Sequence, residues 1–159
     1  GGRERAGEGW QMLMACLAAG RGVSLPGLAV GASQLSARAA GAYATVREQF
    51  DMPIGRFEGI EEPLARIGGM TYLMTATKNL TAAAVDAGEK PAVISAIVKR
   101  YLTEGMREVV NAAMDITAGA GISRGPRNIL AHAYAALPIG ITAASSVTGR
   151  REGPGPADR

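Results

Sequence analysis

The apolar side chains of this sequence recur every three or four residues, which is the spacing of one face of an α-helix. The first such stripe consists of Trp10, Leu13, Met14 and Leu17. Gly20 and Gly22 then interrupt the stripe, and Ser24 with Pro26 can restart a helix through capping and the fixed φ of proline. The pattern therefore predicts a first long helix, interrupted near residues 20–26, that ends near Phe50.

Two further stripes each begin at a proline, a residue that the first turn of a helix tolerates. After Pro63 the stripe consists of Leu64, Ile67, Thr71 and Met74. This second helix should end at Ala87, before Gly88. A third stripe begins after Pro91 and resumes beyond Gly105. It ends in the glycine-dense segment "AGAGISRGP". Its members are Ile94, Ile97, Val98, Tyr101, Val109, Ala113, Met114 and Thr117.

The last helix is predicted to be short, from Arg127 to Ala135, because Pro138 and Gly140 follow it closely. The segment "DMPIGRFEGIEEP" separates the first two helices, and its prolines and glycines predict a loop of about a dozen residues. The sequence thus predicts three long helices and one short one. Its fold class is all-α, with the topology of an up-down four-helix bundle.

The composition supports one globular domain and narrows its partners. The chain has 159 residues, of which 47% are apolar and 19% charged, with 22 glycines and few aromatic residues, so the helices should pack closely. The net charge is +3, but acidic residues are interspersed with the basic ones. The sequence shows no clustered basic face with interleaved aromatic residues, so nucleic-acid binding is not predicted. The sequence contains no run of about 20 apolar residues, so no transmembrane segment is predicted.

Cysteine and histidine occur once each, at Cys16 and His132. An internal disulfide and a metal site built from several cysteines or histidines are therefore excluded, and a reducing compartment such as the cytoplasm fits. Cys16 is predicted to be a small packed hydrophobe and His132 a helix-surface imidazole.

Three segments in order, "GEGWQMLMACLAAGRG", "YATVREQFDMPIGRFEGIEEPLARI" and "MDITAGAGI", resemble the C-terminal helical domain of FAD-dependent acyl-CoA dehydrogenases. Within that family the sequence is most similar to the large bacterial enzymes of fatty-acid β-oxidation. The resemblance implies FAD as cofactor, an acyl-CoA substrate, a redox partner for electron transfer and a homo-oligomer. It also predicts a fragment: residues 1–8 lead in from a middle β-domain, 9–142 form the helical domain, and 143–159 form a divergent, disordered tail.

The resemblance assigns site residues by position. Arg47 and Phe50 match the family's Arg-x-x-Phe motif, in which the arginine meets the flavin pyrophosphate of the partner subunit and the aromatic ring packs on the cofactor. Gly119 and Gly121 match the glycines of the turn that receives the dinucleotide. Asp115 stands where many relatives have glutamine, and contact with ribose hydroxyls is predicted for it.

The residues that the resemblance places near the substrate match the family less well than those near the cofactor. Arg21 matches an arginine near the thioester, but the glutamate that serves the family as base would fall at Ala144, and Ser145 replaces the glycine after it. The alternative position of the base, just before the arginine, is Gly20. Since alanine cannot accept a proton, the chain is predicted not to desaturate acyl-CoA.

The origin of the segment after Thr142 and the function of the chain each leave two alternatives. The abrupt change in composition after Thr142 fits either a shifted reading frame or truncated gene, or a true paralogue that has lost catalysis. The chain itself is either an impaired flavin-binding and oligomerisation domain of a dehydrogenase, or a non-catalytic helical interaction module derived from one.

Overall fold

The computed structural model describes residues 3–89, 92–126 and 128–145, and they form an all-α domain. The up-down bundle predicted from the sequence is confirmed. Short 3-10 helices at Arg3–Arg5 and Ile54–Arg56 accompany two two-residue strands, β1 (Glu48–Gln49) and β2 (Met52–Pro53). The α-helices are α1 (Gly9–Val46), α2 (Glu58–Asp86), α3 (Ala92–Thr117), α4 (Gly119–Ile122) and α5 (Ile129–Ser145). Among these described residues, no helix is long and apolar enough to cross a membrane.

Helix α3 is the centre of the domain, because α1, α2 and α5 all pack against it. Two apolar clusters lie along its length. The first cluster consists of Ala29, Val30, Met74, Val98, Leu102, Met106, Val110 and Leu137. The second cluster consists of Ala40, Ala44, Ile54, Ile67, Val109, Ala113, Ile116 and Leu130. Since α1 and α3 contribute to both clusters in the same order, these two helices run parallel and α3 supports both ends of the bundle.

The predicted interruption of the first helix is wrong: α1 is continuous through residues 20–26. Packing explains the difference. A Cβ at Gly22 would approach Oγ of Ser95 to 2.7 Å, so the missing side chain lets α1 and α3 come close together. Pro26 is fully buried, although it removes one helical hydrogen bond. Close contact with α3 therefore outweighs the low intrinsic helix propensity of this segment.

The second helix begins earlier than predicted, at Glu58 rather than at Pro63. The amides of Ile60 and Glu61 donate to the carbonyl of Phe57 at 2.8 and 2.9 Å, and these bonds start the helix. Phe57 and Ile60 also pack against the second apolar cluster. The connection before α2 is consequently shorter than the sequence predicts, and it contains the two strands.

The last helix is longer than predicted, because α5 continues through Pro138 and Gly140 to Ser145. Leu137 is buried in the first cluster, and Gly140 is buried beside Met106 and Thr103 of α3. A Cβ at Gly140 would lie 3.2 Å from Cε of Met106, so the glycine serves close helix packing rather than helix termination. Arg127, the predicted start, and residues 146–159 of the predicted tail lie outside the described residues.

Candidate cofactor site

A tight β-hairpin follows α1 and carries the first predicted motif. Strand β1 pairs antiparallel with β2 in the register Glu48↔Pro53 and Gln49↔Met52. The two residues between the strands, Phe50 and Asp51, have φ of 52° and 61°. Positive φ at both central positions is the geometry of a type I′ hairpin turn, which favours glycine or asparagine. A phenylalanine here is therefore held in an unfavourable backbone conformation.

Phe50 is also 87% exposed, so its position gains little from burial within this chain. Its ring meets Phe57 edge to face, with centroids 6.2 Å apart and an interplanar angle of 89°. Strained residues in tight turns often mark contacts with a ligand or a partner. The geometry accordingly favours an external contact for Phe50, as its position in the Arg-x-x-Phe motif predicts.

The hairpin and the glycine turn after α3 meet in one surface cleft of about 400 Å³. Its lining contains Arg47 from the hairpin and Gly119 from α4, two predicted site residues that are distant in the sequence. The remaining lining residues are Tyr43, Gln49, Ile54, Ile116, Thr117, Ala118 and Ala120. We refer to this group as the Arg47 cleft.

Arg47 is available to an anion in this cleft. Its backbone is fixed at both ends, since its amide donates to Tyr43 and its carbonyl accepts from Ile54, each at 2.8 Å. The side chain is exposed, and in the described part of the chain it belongs to none of the ion pairs. A guanidinium group held at the mouth of a cleft is suited to bidentate binding of phosphate oxygens.

The opposite wall of the cleft is a sharp turn between α3 and α4. Ala118 has φ of 46° and ψ of −127°, a conformation that L-residues other than glycine rarely adopt. Its amide donates to the carbonyl of Met114 at 2.8 Å, and its carbonyl accepts from the amide of Gly121 at 2.9 Å. The turn directs α4 away from the axis of α3 and brings Gly119 to the cleft.

Replacing Ala118 by glycine is expected to stabilise the domain by about 1 kcal/mol, because glycine adopts this conformation without steric strain. The greater freedom of glycine in the unfolded chain opposes part of that gain. Urea unfolding followed by circular dichroism measures the difference. A lower stability of the Ala118→Gly protein would contradict the assignment of strain to this residue.

The comparisons with known proteins agree with this architecture. A family model described as the C-terminal domain of acyl-CoA dehydrogenase matches residues 7–140. The chain belongs to the acyl-CoA dehydrogenase family. The fold resembles butyryl-CoA dehydrogenase from Megasphaera elsdenii with a TM-score of 0.76 and 26% identity, over 90% of this chain and 38% of that one.

Two further relatives extend the comparison. The glutaryl-CoA complex of glutaryl-CoA dehydrogenase shares the fold, with a TM-score of 0.77 and 24% identity over 89% of this chain and 37% of that one. The 3-(aryl)acrylate reductase of Clostridium sporogenes (strain ATCC 15579) is 32% identical over 117 residues, which are 72% of this chain and 30% of that protein. The chain thus spans about a third of the length of these relatives.

The other predicted residues occupy three different environments. Asp115 lines a neighbouring cleft of about 620 Å³ with Tyr134, rather than the Arg47 cleft. Gly121 is buried against Thr117 and Met114, and close packing there leaves no room for a larger side chain. Arg21 lies on α1 and Ala144 on α5, and neither side chain is among those described.

Arg21 and Ala144 belong to the other end of the bundle. Arg21 precedes Arg47 by roughly 40 Å along α1, given the rise of about 1.5 Å per residue in a helix. Its neighbour Gly22 lies beside Ser95, near the start of α3, whereas the Arg47 cleft lies at the end of α3. The acyl-CoA dehydrogenase fold therefore separates the two groups of predicted site residues instead of uniting them.

Sequence reasoning missed Asn128, which lies between α4 and α5. Its Oδ1 accepts a hydrogen bond from the amide of Ala131 at 3.2 Å, as an N-cap residue does. An asparagine directly before the apolar run "ILAHAY" is a typical helix-start signal, so this capping role could have been predicted. The contacts that its amide nitrogen makes with α4 depend on tertiary structure and could not.

Proposed function

We propose that this chain is the C-terminal domain of a member of the FAD-dependent acyl-CoA dehydrogenases of fatty-acid β-oxidation, and that it supplies surfaces that contact the flavin and a neighbouring subunit. In this proposal, the Arg47 cleft and Phe50 contact the flavin dinucleotide of a neighbouring copy. The observation that carries the proposal is the meeting of Arg47 and Gly119 in one cleft. A non-catalytic helical module without flavin would have no need for this arrangement.

The residues of the cleft suit a dinucleotide. Arg47 provides a permanent positive charge for a phosphate, while Ile54, Ile116 and the ring of Tyr43 provide apolar surface. Apart from Gly119, its two chain neighbours and the backbone of its own helix, no heavy atom lies within 4 Å of the point that a Cβ of Gly119 would occupy, so a ligand can approach the backbone there. FAD, when bound, supplies the acceptor for the hydride in this class of reaction.

The separation of the two ends supports an oligomer as the active form. The end of the bundle that carries Arg21 and Ala144 would meet the substrate of one subunit, whereas the Arg47 cleft, roughly 40 Å away, would contact the cofactor of another. A homo-oligomer lets each chain contribute to both kinds of site. A redox partner that receives the electrons and a cytoplasmic location complete the proposal.

Catalysis by this chain as it stands is not part of the proposal. The α-proton of a thioester must pass to a base, and alanine at position 144 offers no basic atom. The role that we assign to this chain is therefore to bind the dinucleotide and to bring subunits together.

The test is a titration of this chain with FAD, followed by flavin fluorescence. We expect saturable binding, and about 10- to 100-fold weaker binding for Arg47→Ala, which loses a charged hydrogen bond to phosphate. Arg56→Ala is the matched control, because Arg56 is an exposed arginine near the hairpin that does not line the cleft. Equal affinities of the two variants, or no binding by the wild-type chain, would contradict the proposal.

A further inference from the structure

The amide of Asn128 joins two helices through both of its polar atoms. Its Nδ2 donates to the carbonyl oxygens of Ala120 at 2.8 Å, Gly121 at 2.7 Å and Ser123 at 2.6 Å. Its Oδ1 accepts from the amide of Ala131 at the start of α5. Since an amide nitrogen carries two hydrogens, the three carbonyls share them. One side chain thus closes the end of α4 and caps α5.

The orientation of this amide follows from its surroundings. Three carbonyl oxygens on one side require a donor, and the amide of Ala131 on the other side requires an acceptor. The reverse orientation would place Oδ1 of Asn128 against three oxygens. Among residues of this length, only asparagine offers a donor and an acceptor in one planar group, because aspartate has no nitrogen.

Among the described residues, Asn128 is the donor to the carbonyls of Ala120, Gly121 and Ser123. α4 has only four residues, Gly119–Ile122, so its last carbonyls have no amides one turn ahead within the helix. Ser123 Oγ donates to the carbonyl of Gly119 at 2.9 Å, and Asn128 serves those that follow. These side-chain donors replace the backbone bonds that a longer helix would make.

The same short helix forms a wall of the Arg47 cleft. Gly119 and Ala120 line the cleft, and the strained residue Ala118 directly precedes them. Such a backbone conformation persists only where the surrounding contacts hold it in place. Asn128 supplies hydrogen bonds from outside the turn, and one of them reaches Ala120, which lines the cleft.

We infer that Asn128 is a positioning residue that holds the α4 wall of the Arg47 cleft in the geometry required for dinucleotide binding. This inference rests on the proposed function of that cleft. Asn128 does not line the cleft, so its effect on affinity is exerted through the backbone of Gly119 and Ala120.

The test compares Asn128→Asp with Arg47→Ala. Aspartate is as good an N-cap as asparagine, so the Oδ1 contact with Ala131 and the start of α5 are preserved. The donor to the three carbonyls is lost, and an oxygen faces them instead. We expect FAD affinity to fall about tenfold and the backbone amides of residues 118–123 to exchange hydrogen faster, while α5 exchange stays at its wild-type rate and the variant, although less stable towards urea, remains folded in the titration.

The outcomes separate the inference from the proposed function. If Arg47→Ala weakens FAD binding and Asn128→Asp does not, the cleft stands and the role of Asn128 is overturned. If the loss of binding follows the globally unfolded fraction of Asn128→Asp, Asn128 is merely structural and the inference is also overturned. If the wild-type chain binds no FAD, both proposals are refuted.

Discussion

Replacing Gly121 by alanine is expected to destabilise the domain by about 2–3 kcal/mol. The added Cβ would clash with Oγ1 of Thr117 and would lie 3.3 Å from Sδ and 3.4 Å from the carbonyl oxygen of Met114. Thr117 cannot turn away freely, because it is buried and its hydroxyl donates to the carbonyl of Ala113 at 2.9 Å. Either that hydrogen bond breaks or the turn between α3 and α4 moves. Urea unfolding measures the loss of stability.

Gly119→Ala is the matched control, two residues away in the same segment. Nothing lies within 4 Å of its future Cβ, and its φ is outside the left-handed region, so alanine should leave stability unchanged or raise it by about 0.5–1 kcal/mol. The new methyl group would, however, stand at the cleft wall and weaken FAD binding. Equal losses of stability in the two variants would contradict this difference between the glycines.

The two glycines show how far sequence reasoning reaches in the site. In "DITAGAGI" both match the same family motif, and the sequence assigns both to the cofactor. The structure gives them different physical roles, because Gly119 lines the cleft whereas Gly121 packs under the turn. Which side of a turn faces a neighbouring helix depends on tertiary contacts, and periodicity carries no information about it.

Apolar spacing predicts the existence of the long helices, but prolines and glycines mark several helix ends wrongly. The stripe that contains Ile67 and Met74 is buried as predicted. Pro26, Pro63 and Pro138 nevertheless all lie inside helices. The hydrogen bond that a proline removes can be predicted from the local sequence. The packing on α3 that outweighs this loss involves residues far away in the sequence.

The candidate site was predictable only as separate motifs. The order of the Arg47 motif and the Gly119 turn indicated the family, but their meeting in one cleft results from the parallel packing of α1 and α3. The strain at Phe50 and Ala118 was not predictable either, since neither residue type favours positive φ. Both strained residues lie in the turns that flank this cleft, a concentration typical of functional sites.

The core beneath the hairpin gives the other large expected effect. Ile67→Ala should destabilise the domain by about 3–4 kcal/mol, because Ile67 is 2% exposed and belongs to the second apolar cluster with Ile54 and Val109. Ile54 also lines the Arg47 cleft, so FAD binding should weaken as the cavity loosens the segment after the hairpin. Urea unfolding and the FAD titration measure the two effects.

Leu73→Ala is the control on the same helix, since Leu73 is 67% exposed and should change stability by less than about 0.5 kcal/mol. A loss for Leu73 as large as that for Ile67 would mean that another face of α2 is buried. A loss of stability for Ile67→Ala with unchanged FAD affinity, measured where the variant is folded, would instead show that the hairpin keeps its geometry without this part of the core. The pair of variants thereby tests whether the second cluster supports only the fold or also the Arg47 cleft.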